Sequence, residues 1–225
     1  MELNPPETRV RAKGTHRLVR SRYPAVDVFA DVAPANDRDA LTDLESWTND
    51  RVENDLGQRP MLPPSELATG SNASIVNAAF CHPHPAGGRF TSARLGGWYA
   101  GLELRTAHAE VVFHWWRELE EVGRTSGRVQ ARQYLADFDA TFHDVRDHRR
   151  YASLYSAKSY RTSQQLGARL RAAGSNGIAY GSVRDRGHDC VVAFRPKLVR
   201  KVRQGAHFEY VWSGNAVPEI TRLTK

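Results

Sequence analysis

The stretch GGWYAGLELRTAHAE, residues 96–110, predicts a short buried strand that leads directly into a helix. Residues 97–104 are mostly apolar and follow a pair of glycines, which is typical of a short strand. Thr106 can cap the helix that comes next, and apolar residues at helical spacing extend this helix to about Val122. A strand beside a helix that covers it indicates a layered fold containing both element types.

Further elements are predicted downstream of this stretch. A second helix begins at Thr162 or Ser163 and stops at Gly174, which suits the end of a helix. Apolar runs and alternating patterns predict strands over residues 129–138, 178–183, 190–194, 197–202 and 207–212. The second half of the chain is therefore predicted to alternate between short strands and covering helices.

The first third of the chain gives weaker patterns. Apolar spacing predicts a helix over residues 37–56, short extended pieces at 18–19 and 26–29, and a short apolar segment at 72–80. The polar residues around Pro5 and Pro6 predict no regular element in roughly the first dozen residues. We predict an α+β fold with a mixed sheet of several strands and two or three covering helices.

Length and composition indicate a soluble protein with one globular domain. The chain has 225 residues, of which 40% are hydrophobic and 25% charged. We predict that residues 1–85 form an N-terminal extension packed on the core and that residues 86–225 form that core. No apolar run approaches the roughly 20 residues that span a membrane. Two cysteines, Cys81 and Cys190, do not form a disulfide framework, and we expect a cytoplasmic protein.

The net charge of +7 favours an anionic partner. Lysine and arginine residues are scattered, without a basic tract interleaved with aromatic residues, so a phosphate-bearing metabolite is favoured over nucleic acid. Cys81, His82 and His84 have the side chains of metal ligands, but no second Cys/His pair follows at the spacing of a zinc site. We therefore expect no metal.

Four polar residues stand out in segments that otherwise have the pattern of a core. Arg89 follows two glycines, Tyr99 comes ten residues later, Glu110 eleven after that, and Ser182 closes a buried strand. A cation, an aromatic face, a carboxylate and a hydroxyl together suit an anionic nucleotide with a reactive sugar. Each residue also has an ordinary interpretation: a solvated turn arginine, a core tyrosine, a helix-surface glutamate and a strand-end serine.

Glu110 is the most informative of the four because it is flanked by alanine and valine on the predicted helix. Carboxylates are rarely buried without a partner. His114 and Arg117 follow at i+4 and i+7, so the three side chains can form one polar stripe. The alternative is an ordinary Glu–Arg pair on a helix surface.

The order and spacing of these motifs resemble the RES family, which is named for its Arg, Glu and Ser. The resemblance covers roughly residues 86–200 and implies that residues 86–225 form a catalytic region. Thr91 stands where the family usually has Asn. The matching motifs are Gly88-Arg89-Phe90, Tyr99-Ala100, Ala107-His108-Ala109-Glu110, the run 177–184 and Phe194-Arg195-Pro196.

The resemblance implies a fold similar to ADP-ribosyltransferase toxins and NAD as the substrate. It implies that Arg89, Glu110 and Ser182 are catalytic, with Glu110 stabilising positive charge on the ribose, Arg89 holding phosphate and Ser182 bonding the ribose or the acceptor. Tyr99 would stack on or orient the nicotinamide, with His114 and Arg17 as further substrate-binding candidates. The alternative for Arg17 is a structural arginine.

The resemblance leaves the acceptor open. Inorganic phosphate would make the chain a NAD phosphorylase, water a NAD glycohydrolase, and a protein side chain an ADP-ribosyltransferase; a non-catalytic nucleotide-binding module is a further alternative. Family members often act as toxins, so an antitoxin protein is an expected partner, together with a second copy of the chain in a homodimer. Apart from NAD as substrate and inorganic phosphate as a potential co-substrate, no cofactor is expected.

Overall fold

A computed structural model describes residues 3–21, 62–157 and 159–224. Three α-helices lie in these residues, α1 Ala73–Cys81, α2 Leu104–Glu121 and α3 Arg161–Ala172. Seven strands accompany them: β1 Glu7–Arg20, β2 Trp98–Gly101, β3 Ser126–Asp144, β4 Gly177–Gly181, β5 Asp189–Ala193, β6 Arg200–Ser213 and β7 Glu219–Leu223. No helix among the described residues is long and apolar enough to cross a membrane.

The strands form one mixed sheet in the order β1-β2-β5-β4-β3-β6-β7, with an additional pairing between β1 and β3. Because β1 contacts both β2 and β3, the strands β1, β2, β5, β4 and β3 form a closed ring, and β6 and β7 extend from β3. The ring closes through a pairing of His16 with Gly101. β3 and β4 run parallel, whereas the other paired strands are antiparallel.

Each helix covers a different hydrophobic cluster. Val76 and Phe80 of α1 pack with the buried Trp98 of β2. Leu166 and Leu170 of α3 pack on the opposite face of the sheet, in a cluster that includes Ile178, Tyr180 and Phe90. Trp115 of α2 meets Tyr210 of β6 edge to face at 4.9 Å. Period-two alternation along β4 puts Ala179 towards α1 and its two neighbours towards α3.

The structure confirms the predicted combination of helices with a mixed sheet. It also confirms most of the predicted elements. The prediction for the N-terminus was wrong, because β1 begins at Glu7 and pairs with β3 from that residue onwards. Cross-strand pairing with β3 outweighs the polar local sequence. The predicted strand over 197–202 begins only at Arg200, after a 3-10 turn.

The helix predicted over 37–56 and the extended piece at 26–29 lie outside the described residues. The resemblance to ADP-ribosyltransferases stays a prediction.

Candidate active site

A cleft of about 680 Å³ lies between α2, the start of α3 and the strands β1 and β2. Its volume is within the range of small-molecule sites. Five of the six predicted site residues line this cleft, namely Arg17, Arg89, Tyr99, Glu110 and His114. The sixth, Ser182, lies directly behind Glu110.

Ser182 fixes the carboxylate of Glu110. Its hydroxyl donates to Glu110 Oε1 at 2.6 Å, and Ser182 Oγ in turn accepts hydrogen bonds from the backbone N–H groups of Arg184 and Asp185 at 3.1 and 2.9 Å. Ser182 is 0% exposed, since it closes the buried strand β4. One oxygen of Glu110 is thereby oriented by a hydroxyl that is itself held by two backbone N–H groups.

A second link joins the same two elements. Asp185, in the turn between β4 and β5, accepts hydrogen bonds from Thr106 Oγ1 at 2.8 Å and from Arg105 Nη2 at 2.9 Å. Thr106 is fully buried at the start of α2. The turn is therefore attached to α2 at its first residues and again one turn later at Glu110, so the helix cannot shift along the turn without breaking both links.

Arg89 is a buried cation held by uncharged groups. It is 6% exposed, and its Nη1 donates to the carbonyl oxygens of Leu154 and Ser156 at 3.0 and 3.2 Å. Its guanidinium carbon lies 4.6 Å from the ring centre of Tyr160, a cation–π contact. No carboxylate of the described part of the chain forms an ion pair with Arg89. A buried cation held in this way can bind an anion in the cleft.

Tyr99 attaches β2 to the glycine loop that carries Arg89. Its hydroxyl accepts a hydrogen bond from the Phe90 N–H at 2.8 Å and shares one with Thr91 Oγ1 at 3.1 Å. A Cβ on Gly88 would lie 2.7 Å from this hydroxyl, so the loop needs glycine there. Burial raises the pKa of Tyr99 to about 12, and the phenol stays protonated at neutral pH. Thr91 thus has a defined place despite departing from the family pattern.

Arg17 is a second cation at the cleft. Its Nη1 donates to the backbone oxygen of Tyr99 at 3.2 Å, and its guanidinium carbon lies 5.0 Å from the ring centre of Trp98. Burial lowers the pKa of Arg17 to about 10, which still leaves the group charged at neutral pH. Within the described ranges it has no carboxylate partner. The structure therefore places both arginines in one cleft.

The other two residues of the predicted polar stripe on α2, His114 and Arg117, lie in different environments. Burial of the ring in the cleft and the neighbouring cations, with Arg184 first, lower the pKa of His114 to about 4, so its ring is neutral at pH 7. Arg117 also lines the cleft but pairs with Glu121 at 3.7 Å in an exposed i,i+4 ion pair. His114 is consequently an uncharged polar group, and the charge of Arg117 is partly offset.

Sequence reasoning missed three residues that complete the site. Tyr160 covers Arg89, Gln164 donates from Nε2 to the carbonyl oxygens of Ala86 and Gly88, and Asp185 links its turn to α2. Tyr160 and Gln164 come from a polar segment at the start of α3 that has no motif. Asp185 comes three residues after Ser182. Aspartate is common in turns, and its position shortly after the strand-end serine was the signal that the sequence offered for this residue.

Comparisons with known proteins give one family. No protein with a curated description matches the chain. Among solved structures, a chain of the M. tuberculosis MbcT-MbcA toxin-antitoxin complex aligns over 88% of this chain and 86% of that one, with 11% sequence identity and a TM-score of 0.47, too low to support an inference. The family profile described as "RES domain" matches residues 65–213, which is more than half of the chain. The chain therefore belongs to the RES domain family.

Proposed function

We propose that the chain is an enzyme that cleaves the bond between nicotinamide and ribose in NAD and passes the ADP-ribosyl group to phosphate or water. The observation that carries this proposal is the carboxylate of Glu110, fixed by Ser182 at 2.6 Å in a cleft that also holds Arg17 and Arg89. The site thus offers a fixed anion and two cations to one ligand, as a dinucleotide with a positively charged reacting end requires.

The chemistry suits these groups. When the nicotinamide–ribose bond breaks, its electron pair moves to the pyridinium nitrogen, so nicotinamide leaves as a neutral molecule and needs no general acid. The ribose becomes an oxocarbenium-like cation in the transition state. A carboxylate that is already oriented stabilises this charge without the reorganisation that water would need. We assign this role to Glu110.

The cationic residues would hold the phosphates of the ligand. Arg89 has a planar guanidinium oriented by two carbonyl oxygens, a geometry that suits a phosphate group. Arg17 would add charge on the β1 side of the cleft, and the neutral ring of His114 can contact the ligand without repelling a cationic nicotinamide. Tyr99, protonated and partly exposed, would orient the nicotinamide and its ribose.

Ser182 would act through Glu110 in this scheme. The resemblance to the family predicts that Ser182 bonds the ribose or the acceptor directly, and that contact stays a prediction. Its burial and its three hydrogen bonds within the protein favour a positioning role instead. Both roles predict that Ser182→Ala lowers turnover, but only the positioning role predicts that the loss requires Glu110.

The wider biological role rests on the family alone. RES members often act as toxins, and we propose the same for this chain, with an antitoxin protein that blocks the cleft as its partner and with a homodimer as its assembly. Because cleavage of NAD depletes the cell of a central cofactor, expression of the active chain would arrest growth. A Glu110→Gln variant expressed to the same level would not.

The experiment that identifies the reaction is phosphorus NMR of NAD incubated with the purified protein, with and without inorganic phosphate. Nicotinamide release that requires phosphate, together with a phosphorylated ADP-ribose, would establish a phosphorylase. Release without phosphate would establish a glycohydrolase. Intact NAD in both samples, followed by transfer of label from NAD to a protein band in cell extract, would replace the proposal with ADP-ribosylation of protein.

A further inference from the structure

His16 lies next to Arg17 on β1 and lines the same cleft, and the reaction proposed for the cleft does not use its ring. Its ring nitrogen Nδ1 lies 2.7 Å from Nε2 of Gln133, a residue of β3 that is 6% exposed. No other hydrogen bond to the His16 ring occurs among the described residues. The question is therefore which nitrogen of the ring carries the proton, since this decides what His16 offers to a ligand.

The orientation of the Gln133 amide answers this question. Its Oε1 accepts a hydrogen bond from the backbone N–H of Ala206 at 2.9 Å. A flipped amide would place its NH₂ group against that N–H, two donors facing each other. The close approach requires glycine at position 205, where a Cβ would lie 2.4 Å from Oε1. Gln133 Nε2 consequently faces His16, and because an amide nitrogen only donates, Nδ1 of His16 must accept.

We propose that His16 is a neutral hydrogen-bond donor that presents Nε2–H to the cleft, where it binds an oxygen of an anionic ligand group beside Arg17. The only ligand class that this assignment requires is an oxyanion such as phosphate. The assignment of His16 depends on the proposed function only where it identifies this oxyanion as part of a dinucleotide or as the phosphate acceptor.

The charges around the ring favour the neutral form. Burial lowers the pKa of His16, and the nearby Arg203 lowers it further. His108 of α2 is also close enough that the two histidines repel when both are charged, and Arg17 is the next residue on β1. The described groups around the ring therefore disfavour a second proton, and the neutral ring keeps its single proton on Nε2.

This assignment excludes two other uses of His16. With Nδ1 occupied by Gln133 and Nε2 protonated, the neutral ring has no free lone pair to offer to the cleft. It cannot take a proton from an attacking water molecule, nor can it bind a metal ion, unless it first exchanges its tautomer and loses the bond to Gln133. His16 is thus a binding residue that recognises acceptor atoms only.

The tautomer is tested without any ligand. In ¹⁵N-labelled protein at pH 7.5, long-range proton–nitrogen spectra of the histidine rings distinguish a protonated from an unprotonated nitrogen, and His16→Phe identifies the His16 signals. We expect Nε2 protonated and Nδ1 unprotonated. In Gln133→Glu, the new carboxylate accepts from Nδ1–H, so we expect Nδ1 to become protonated. A wild-type ring with its proton on Nδ1, or with both nitrogens protonated, would overturn the proposal.

Binding is tested with inorganic phosphate as the probe. We expect phosphate to shift the His16 Nε2–H signal of the wild type and His16→Phe to bind phosphate about 10-fold more weakly, as loss of a hydrogen bond to a charged group predicts. His207→Phe, which changes a histidine outside the cleft, serves as the control and binds as the wild type does. Equal phosphate affinity in wild type and His16→Phe would refute the binding role. This result does not depend on whether NAD is cleaved, so the two proposals fail separately.

Discussion

The two sides of the cleft hold their charged groups in opposite ways. On one side, Glu110 is bonded to Ser182, and the turn that carries Ser182 is bonded again to α2 through Asp185. On the other, Arg89 and Arg17 are held by backbone carbonyl oxygens and aromatic rings. The anion is fixed by a hydrogen-bond network, whereas the cations are oriented without being neutralised.

This difference shows how one cleft can bind both the positively charged end and the negatively charged phosphates of one ligand. A carbonyl oxygen or an aromatic ring directs a guanidinium but leaves its charge available, while a carboxylate partner would cancel that charge. Burying a charge without a countercharge costs free energy, so such a group is expected where a ligand supplies the countercharge. Substitutions can therefore change the anionic group or the cationic groups separately.

The largest effect is expected from Glu110→Gln, which removes the negative charge and keeps the shape. We predict that kcat for NAD cleavage falls about 10²- to 10³-fold, because the transition state loses its charge stabilisation. Steady-state nicotinamide release measures this fall. Glu120→Gln, an exposed neighbour on the same helix, is the matched control and keeps wild-type kcat. A kcat that is unchanged in Glu110→Gln would remove Glu110 from the mechanism.

On the opposite side of the cleft, Arg89→Lys keeps the charge but replaces the planar fork with a point donor. We predict that kcat/KM falls roughly 10- to 100-fold, since hydrogen bonds to charged groups contribute about 1.5–3 kcal/mol each. Initial rates over a range of NAD concentrations provide the value. Arg94→Lys, in the exposed part of the same loop, has no expected effect. Wild-type kinetics in Arg89→Lys would show that charge alone is enough at this position.

A smaller effect is expected from Ser182→Ala, which keeps Glu110 but removes the hydrogen bond that orients its carboxylate. We predict a fall in kcat of about 10-fold, and no further fall when Ser182→Ala is added to Glu110→Gln. The double-mutant cycle uses the same nicotinamide assay, and Ser213→Ala, another serine at a strand end, is the control. Additive losses would mean that Ser182 contacts the ligand independently of Glu110.

The smallest effect concerns stability and pH. The pKa of His114 is lowered to about 4 in the folded chain from 6.5 in the unfolded chain, so protons bind preferentially to the unfolded state in this interval. The contribution of His114 to stability is present above pH 6.5 and is lost as the pH falls towards 4. We predict that lowering the pH from 7 to 5 reduces the Tm of His114→Gln by less than that of the wild type. Although its ring is desolvated in the cleft, His114 keeps part of its surface in contact with solvent, so we expect a difference of only roughly 2–4 °C. Parallel thermal melts measure it, and identical pH profiles would contradict it.

Much of the fold can be predicted from the sequence because each strand or helix buries apolar residues at its own characteristic spacing. The strand 97–104 and the helix that follows it are signalled by apolar spacing, and β2 and α2 occur there. Arg89, Tyr99 and Glu110 were identifiable for a related reason: polar residues in core-like segments need a partner or a ligand. Their convergence on one cleft follows from the order of the strands, which puts β2 between β1 and β5.

The parts that sequence reasoning missed depend on contacts between distant residues. β1 has a polar sequence, and its regular structure comes from pairing with β3, more than a hundred residues away. The bond between Asp185 and Thr106 and the contact between Tyr160 and Arg89 join segments with no shared local pattern. The tautomer of His16 likewise depends on Gln133, which only the pairing of β1 with β3 brings close.

The most direct test is a time course of nicotinamide release from NAD by the purified wild-type chain, with and without inorganic phosphate, followed by chromatography. We predict that nicotinamide accumulates well beyond one equivalent per protein in at least one of the two conditions, in parallel with loss of NAD. NAD that remains intact in both conditions, in a preparation shown to be folded by a cooperative thermal melt, would contradict the proposal that this cleft cleaves NAD.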